Sequence, residues 1–372
     1  MNFRDNQELW EMKSLSRRAK KSSQAYRTFD EGKDPLKTEY QKDIDRIIKS
    51  DAFFNLRYKS QICLSLTPNN LLRNRLSHTL EVAQVAKAIS KSLELNCELV
   101  EAIALGHDLG QTPFGHAGEK ALNQILKDRK RSFNHNVQSV WVVDQYTTVK
   151  YTEFSDGLNL TYDTLEGLWK HRKYKGQVLE YEARLRELSP DSSGSLESKV
   201  VMYADMITRC VHDLFDANQS RVLTYERFDE EFWSDSIRVP FNPNTWQQFF
   251  IHDLIKNSFN TDDVSMSAEC ESIFEQLKDY LNATIFASIF VLEYDVMCRD
   301  VLSKLYDYYE HHFEWLLKAN PRYQAIYNAF GEERVLIDHL QSLSDKQAYE
   351  AYDMIGKTRV GLNAKRSSIL EL

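Results

Sequence analysis

The sequence predicts an all-α protein, and three observations carry that prediction. Not one glycine falls between Gly194 and Gly331, and no proline falls between Asn244 and Asn320, so helices meet neither of their usual interrupters there. Apolar residues recur at helical spacing through Ile273, Leu277, Leu281, Ile285 and Ile289, and again through Leu302, Leu305, Tyr309 and Phe313. Strand-type alternation is scarce, its best short candidate being Leu158 to Tyr162 after Asp156-Gly157.

Along the chain, the first forty residues carry Arg17, Arg18, Lys20 and Lys21 beside Ser22 and Ser23 with little apolar pattern, which reads as a solvated arm or an oligomer contact. Loop signals at Thr67 to Asn70, Ser189 to Gly194 and Pro240 to Pro243 divide the rest. The expected parts are an N-terminal arm and helical segment over 1–66, a helical core over 67–220 and a C-terminal helical layer over 221–372. The 372 residues are enough for a large core, as one extended domain or two smaller ones. The aromatics of the last part are expected mainly inside that core, with an oligomer interface as the other use.

Forty-seven basic against fifty-five acidic residues give a net charge of −8, which argues against unselective adhesion to nucleic acid or anionic membrane. Five scattered cysteines lack paired zinc-ribbon spacing and read as reduced thiols. With no apolar leader at Met1 to Lys20 and no run approaching a membrane span, the expected setting is soluble and cytoplasmic.

Chemistry concentrates in the core. The stretch from Gly106 to Glu119 holds four of the twelve glycines, with two histidines and two carboxylates. So much glycine suits a backbone that turns tightly or approaches a ligand closely. On the helix before it, His78 shares a stripe with Val82, Val85 and Ile89. A second helix, Glu98 to about Gly106, runs directly into His107-Asp108. A third, following Ser195, carries Asp205 on a partly apolar face with Val201, Thr208 and His212. A lone histidine on such a face is more often a satisfied core residue than a ligand. A buried carboxylate, though, needs a cation or donors. Two histidines and two aspartates from three helices suit one divalent ion with coordination positions left for water and substrate.

His78, His107-Asp108 and Asp205 follow the H…HD…D order of the HD-domain phosphohydrolases. Three longer motifs narrow the resemblance: RLSHTLEVAQVA from Arg75, HDLGQTPFGHAGE from His107 and GLNLTYDTLEG from Gly157. They resemble those of the bacterial dGTPase-like deoxynucleoside triphosphate triphosphohydrolases. Asp43 to Ile48 and Phe133 to Asn136 extend the likeness over roughly residues 25–220.

The resemblance implies an HD-domain helical core with added N- and C-terminal helices, and a divalent ion (Mg, Mn, Fe, Ni or Zn) on His78, His107, Asp108 and Asp205. A second Mg or Mn is expected to arrive with the nucleotide. His116 is the expected proton donor to the leaving 5′-oxygen. Glu119, three residues on, can meet it on one helical face and orient it; the plainer alternative is a helix-terminal pair beside the dipole.

Gln61 is implied to read the 3′-hydroxyl, Arg75, Gln111 and His135 to lie near phosphate, and Asp213 near the sugar. The alternatives are polar surface for Gln61 and Asp213 and a salt bridge for Arg75. The basic run Trp169 to Lys175 reads equally as a triphosphate contact or a solvated face. A homo-oligomer, with a hexamer or related ring as its form, and an allosteric nucleotide site also follow from the resemblance.

The chain departs from the family pattern at three places. Gln111 replaces the usual histidine or asparagine, and Phe54-Asn55 replaces an arginine pair. Arg209 stands where a sugar-packing tyrosine is common. Arg209 shares a four-residue stripe with Asp205 and Asp213, where it either bridges carboxylates or reaches towards the sugar and phosphates.

The leading function is hydrolysis of a deoxynucleoside triphosphate, dGTP among the candidates, to deoxynucleoside and tripolyphosphate. The alternatives are HD-type hydrolysis of another nucleotide or phosphoester, and a regulatory nucleotide-binding protein with little turnover. Single-stranded nucleic acid binding is weaker still, for want of an aromatic-basic platform.

Overall fold

The computed structural model describes residues 3–61, 73–127, 129–147, 157–170, 194–232 and 243–360. Among them are seventeen α-helices and no strand; the two β-bridges, Arg27 with Thr161 and Ser60 with Asn74, are isolated. The candidate strand at Leu158 is an extended segment whose polar groups are met by side chains. Arg46 donates to the carbonyls of Leu158 and Asn159 at 3.0 and 2.8 Å, and Asp43 accepts from Thr161 N–H at 3.0 Å. With those groups satisfied, a partner strand has little left to bond. The loops at Thr67–Asn70 and Ser189–Ser193, together with Pro240, lie outside the described residues.

Three helices form the centre. Arg75–Ser92 starts at Asn74, whose side chain accepts from Ser77 N–H, and buries His78, Val82, Val85 and Ile89. Cys97–Gly106 starts at Asn96, which accepts from two N–H groups, and is buried from Leu99 to Gly106 apart from the half-buried Glu101. Leu196–Gln219 starts at Ser195 and buries Val201, Asp205, Thr208, His212 and Asp213. These caps meet N–H groups that a helix cannot satisfy itself.

In the C-terminal part, Leu277, Leu281 and Ile285 are buried as their spacing predicts, but Ile289 is 62% exposed. The chain bends by 72° between Phe286 and Ile289, which ends the first stripe and starts a new face. No single described helix is long and apolar enough to cross a membrane.

The C-terminal helices clamp the loop that leads from His107 to His116. Lys59 is buried and donates to the carbonyls of Gln111 at 2.5 Å and Gln341 at 2.6 Å. Gln341 in turn donates to the carbonyls of Leu109 and Gln111 at 3.0 and 3.1 Å. Asp345 accepts from Ser60 N–H at 2.9 Å, from the Ser60 hydroxyl and from Phe114 N–H at 2.7 Å.

Phe114 needs that grip because its φ is +64°, a left-handed conformation that costs a bulky residue energy. Tyr349, with ring centroids 4.9 Å apart, packs against it. Asp345→Ala would strand three donors, each worth about 1–3 kcal/mol if buried and unpaired. The expected result is a loss of about 2–4 kcal/mol in urea unfolding, with part recovered in Asp345→Asn.

Candidate metal centre

Three histidine and carboxylate side chains converge where the three central helices meet. Ligand-type atoms of His78, His107 and Asp205 all lie within 4.8 Å of one another. His78 Nε2 is 3.1 Å from Asp205 Oδ1, and His107 Nε2 is 3.8 Å from the same oxygen. His107 Nε2 is also 3.4 Å from Asp108 Oδ2. Asp108, the fourth expected ligand, neighbours this group and accepts from Arg75 Nη1 at 2.8 Å and from Gln111 Nε2 at 3.2 Å. Burial alone would raise the Asp108 pKa, but His107, Arg75 and His135 hold it well below the usual carboxylate range.

The donor set fits a cation. His107 Nδ1 lies 2.7 Å from the Ala104 carbonyl, a contact in which the imidazole must donate. Nε2 then faces the oxygens of Asp108 and Asp205. A bare lone pair aimed at two carboxylates in a buried site is repelled by both, so a positive charge, either a proton or a metal ion in its place, belongs between them. Burial lowers the pKa of His78, which favours the neutral form a metal ligand needs.

The glycine-rich loop is shaped around this group. A Cβ on Gly110 would lie 2.2 Å from Ser139 N and 2.4 Å from the His135 carbonyl oxygen. The Ser139 hydroxyl donates to the His107 carbonyl at 2.7 Å and accepts from Gly110 N–H at 2.9 Å, which pins the turn. Gly115, at φ +55°, opens the helix Gly115–Lys127, and a Cβ there would stand 2.7 Å from Arg75 Nη2. Arg75, bonded to Asp108, is thus packed against the start of the His116 helix.

That helix supplies a second cluster. Glu119 Oε2 lies 3.4 Å from His116 Nδ1 and 2.9 Å from His135 Nδ1, and Glu119 Oε1 accepts from His135 N–H at 3.1 Å. The sequence pairs Glu119 with His116; the structure shares it between two histidines, with His135 the closer. Burial would raise the Glu119 pKa, yet the two imidazoles hold it well below the usual range. Burial lowers His116, against the opposing pull of Glu119.

The remaining expected residues sit around these two clusters. Gln61 is buried, its carbonyl accepting from Arg75 Nη2 at 3.3 Å, and its Oε1 meets no hydrogen-bond donor among the described residues. The Oε1 of Gln111 is in the same position. Arg75 is occupied by Asp108 and by the carbonyls of Ser60 and Gln61. Asp213 is buried, and burial next to Asp216 pushes its carboxyl well above the usual range. Arg209 is half-buried, one turn from each aspartate. From the basic run, Lys170 lies 3.4 Å from Glu166; His171 to Lys175 fall outside the described residues.

Sequence reasoning missed Lys59, Gln341 and Asp345, whose partners lie up to 285 residues away. It also missed Glu81, whose Oε2 is 2.6 Å from His212 Nε2. A carboxylate one turn past a candidate ligand on the same helix was the available signal.

Comparison with known proteins identifies the family. The HD domain family matches residues 75–210, and the phosphohydrolase-associated domain matches residues 264–354. A deoxyguanosinetriphosphate triphosphohydrolase-like protein of Caldanaerobacter subterraneus is 34% identical over 95% of this chain and 96% of its own length. Proteins of the same description are 32% identical in Desulfatibacillum aliphaticivorans, over 86% of this chain and 88% of the relative, and 44% identical in Ralstonia pickettii, over 52% and 49%. Similarity along nearly the whole of both chains, with the three-helix cluster in place, makes this chain a member of the deoxyguanosinetriphosphate triphosphohydrolase-like family of HD-domain phosphohydrolases.

Proposed function

We propose that the protein hydrolyses a deoxynucleoside triphosphate to the deoxynucleoside and inorganic tripolyphosphate. The observation that carries this reading is a metal-type cluster with a histidine–glutamate–histidine cluster near it, Arg75 being bonded to Asp108 on one side and packed against Gly115 at the start of the His116 helix on the other. His78, His107, Asp108 and Asp205 would hold the cation, with Asp108 turning part of its charge from Arg75. When bound, the cation would neutralise phosphate charge and lower the pKa of water.

The net reaction adds water at the α-phosphorus and breaks its bond to the 5′-oxygen. The water oxygen leaves on the tripolyphosphate, and the 5′-oxygen takes a proton. His116 supplies that proton, and anionic Glu119 stabilises the charged imidazole before transfer. His135 fixes Glu119 from the other side.

Gln61 Oε1, an acceptor lacking a donor among the described residues, suits a sugar hydroxyl. If it reads the 3′-hydroxyl, Gln61→Ala should lower kcat/KM for a deoxynucleotide about 5- to 150-fold, the range for one lost buried hydrogen bond. The 2′,3′-dideoxy analogue should be turned over equally by both proteins. A uniform loss on both substrates would remove Gln61 from that role.

Incubation with each dNTP and NTP in Mg²⁺ or Mn²⁺, followed by ion-exchange separation, tests the whole reading. Tripolyphosphate with nucleoside supports it. Pyrophosphate or phosphate would move the activity to another HD-type phosphoester reaction, and binding without product would favour a regulatory role. The native metal, the homo-oligomer and an allosteric nucleotide belong to this proposal as well, and the same assay run with mixed nucleotides tests the last.

A further inference from the structure

His78 and His212 meet through their Nδ1 atoms at 3.2 Å, a contact that requires a proton on one nitrogen and a lone pair on the other. Glu81 decides which. His212 Nε2 lies 2.6 Å from Glu81 Oε2 and must donate to that carboxylate. In neutral His212 the Nδ1 is then a bare acceptor, so His78 donates from Nδ1 and keeps its lone pair on Nε2. That nitrogen faces Asp205 Oδ1 at 3.1 Å, the same lone-pair-to-carboxylate arrangement found at His107.

We propose that Glu81 and His212 are positioning residues: they lock His78 into the Nδ1–H tautomer and so present Nε2 to the metal. The inference rests on the metal-centre reading above. Glu81 is itself held, since its Oε1 accepts from Arg73 Nε at 3.2 Å. His78 and His212 are both buried, so water is poorly placed to take over the hydrogen bond between them. Without His212, the His78 proton is free to move to Nε2 and bond Asp205, and a metal must displace it. Hydrogen bonds that fix a ligand histidine in this way alter metal affinity about 10- to 100-fold when removed.

The test is calorimetric titration of metal-free protein with Mn²⁺, with folding checked by thermal melting. His212→Phe fills the space but removes the acceptor; His212→Asn leaves a small void but offers an amide oxygen to His78 Nδ1–H. The proposal expects His212→Phe to weaken Mn²⁺ binding about 10- to 100-fold and His212→Asn to retain most of it. A packing role alone predicts the reverse order, because the cavity belongs to asparagine.

Equal affinity in wild type and His212→Phe overturns the proposal. Should His212→Phe fail to melt cooperatively, Glu81→Leu against Glu81→Gln gives the same contrast, with leucine expected the weaker and equality of the two overturning the idea. Wild-type protein that binds no Mn²⁺ would instead remove the metal-centre reading itself.

Discussion

Asp205→Ala is expected to melt cooperatively, to retain no tightly bound divalent cation, and to turn over nucleotide at least about a thousandfold more slowly. Its Oδ1 is the oxygen that both His78 Nε2 and His107 Nε2 approach, at 3.1 and 3.8 Å. Removing it leaves two imidazoles and Asp108, whose charge is already shared with Arg75. Stabilisation of charge by a bound metal is worth several kcal/mol, and each 1.36 kcal/mol is a factor of ten in rate. Elemental analysis of the purified variant, beside steady-state rates with added Mn²⁺, checks both halves. A variant that keeps its metal and its rate would mean that Asp205 is a buried partner of His78 and no more.

His116→Ala has the second large effect, and a different signature. Loss of a positioned general acid costs about 10²- to 10⁴-fold in kcat, with KM and the metal on the His78–His107–Asp205 group nearly unchanged, because the residue acts on the departing 5′-oxygen and belongs to the separate His116–Glu119–His135 group. The sign of the pH dependence follows from its environment. Burial outweighs Glu119 and places the His116 pKa below the ordinary histidine value. The protonated, competent fraction of free enzyme therefore declines as pH rises through that lowered pKa. Wild-type kcat/KM should show this falling limb, and His116→Ala should lose it. A change confined to KM, with the limb intact, would assign His116 to the helix terminus alone.

How much of this was legible in the sequence differs by scale. The helices are readable because apolar spacing and the lack of glycine and proline are local, and His78, His107 and Asp205 stand out because each follows an apolar stripe and together they keep the H…HD…D order of the resembled family. Their convergence was inferred from inward faces, and the three ligand-type groups do meet. What escaped was the long-range polar clamp. Lys59, Gln341 and Asp345 look like ordinary surface residues in a sequence, and only folding brings them to the 107–116 loop.

Leu158 to Tyr162 alternates like a strand, yet Asp43 and Arg46 satisfy its backbone from the side. Arg75, expected near phosphate, has its guanidinium engaged by Asp108 and two carbonyls. A single arginine in the first turn of a helix carries no local sign of these partners. The bend after Phe286 also has no glycine or proline to announce it; the exposed Ile289 marks it only afterwards.

Hydrolysis in ¹⁸O-labelled water, with mass analysis of both products, tests the central claim most directly. Attack of water at the α-phosphorus predicts tripolyphosphate carrying one heavy oxygen and deoxynucleoside carrying none. Label in the nucleoside, or release of pyrophosphate in place of tripolyphosphate, would contradict it.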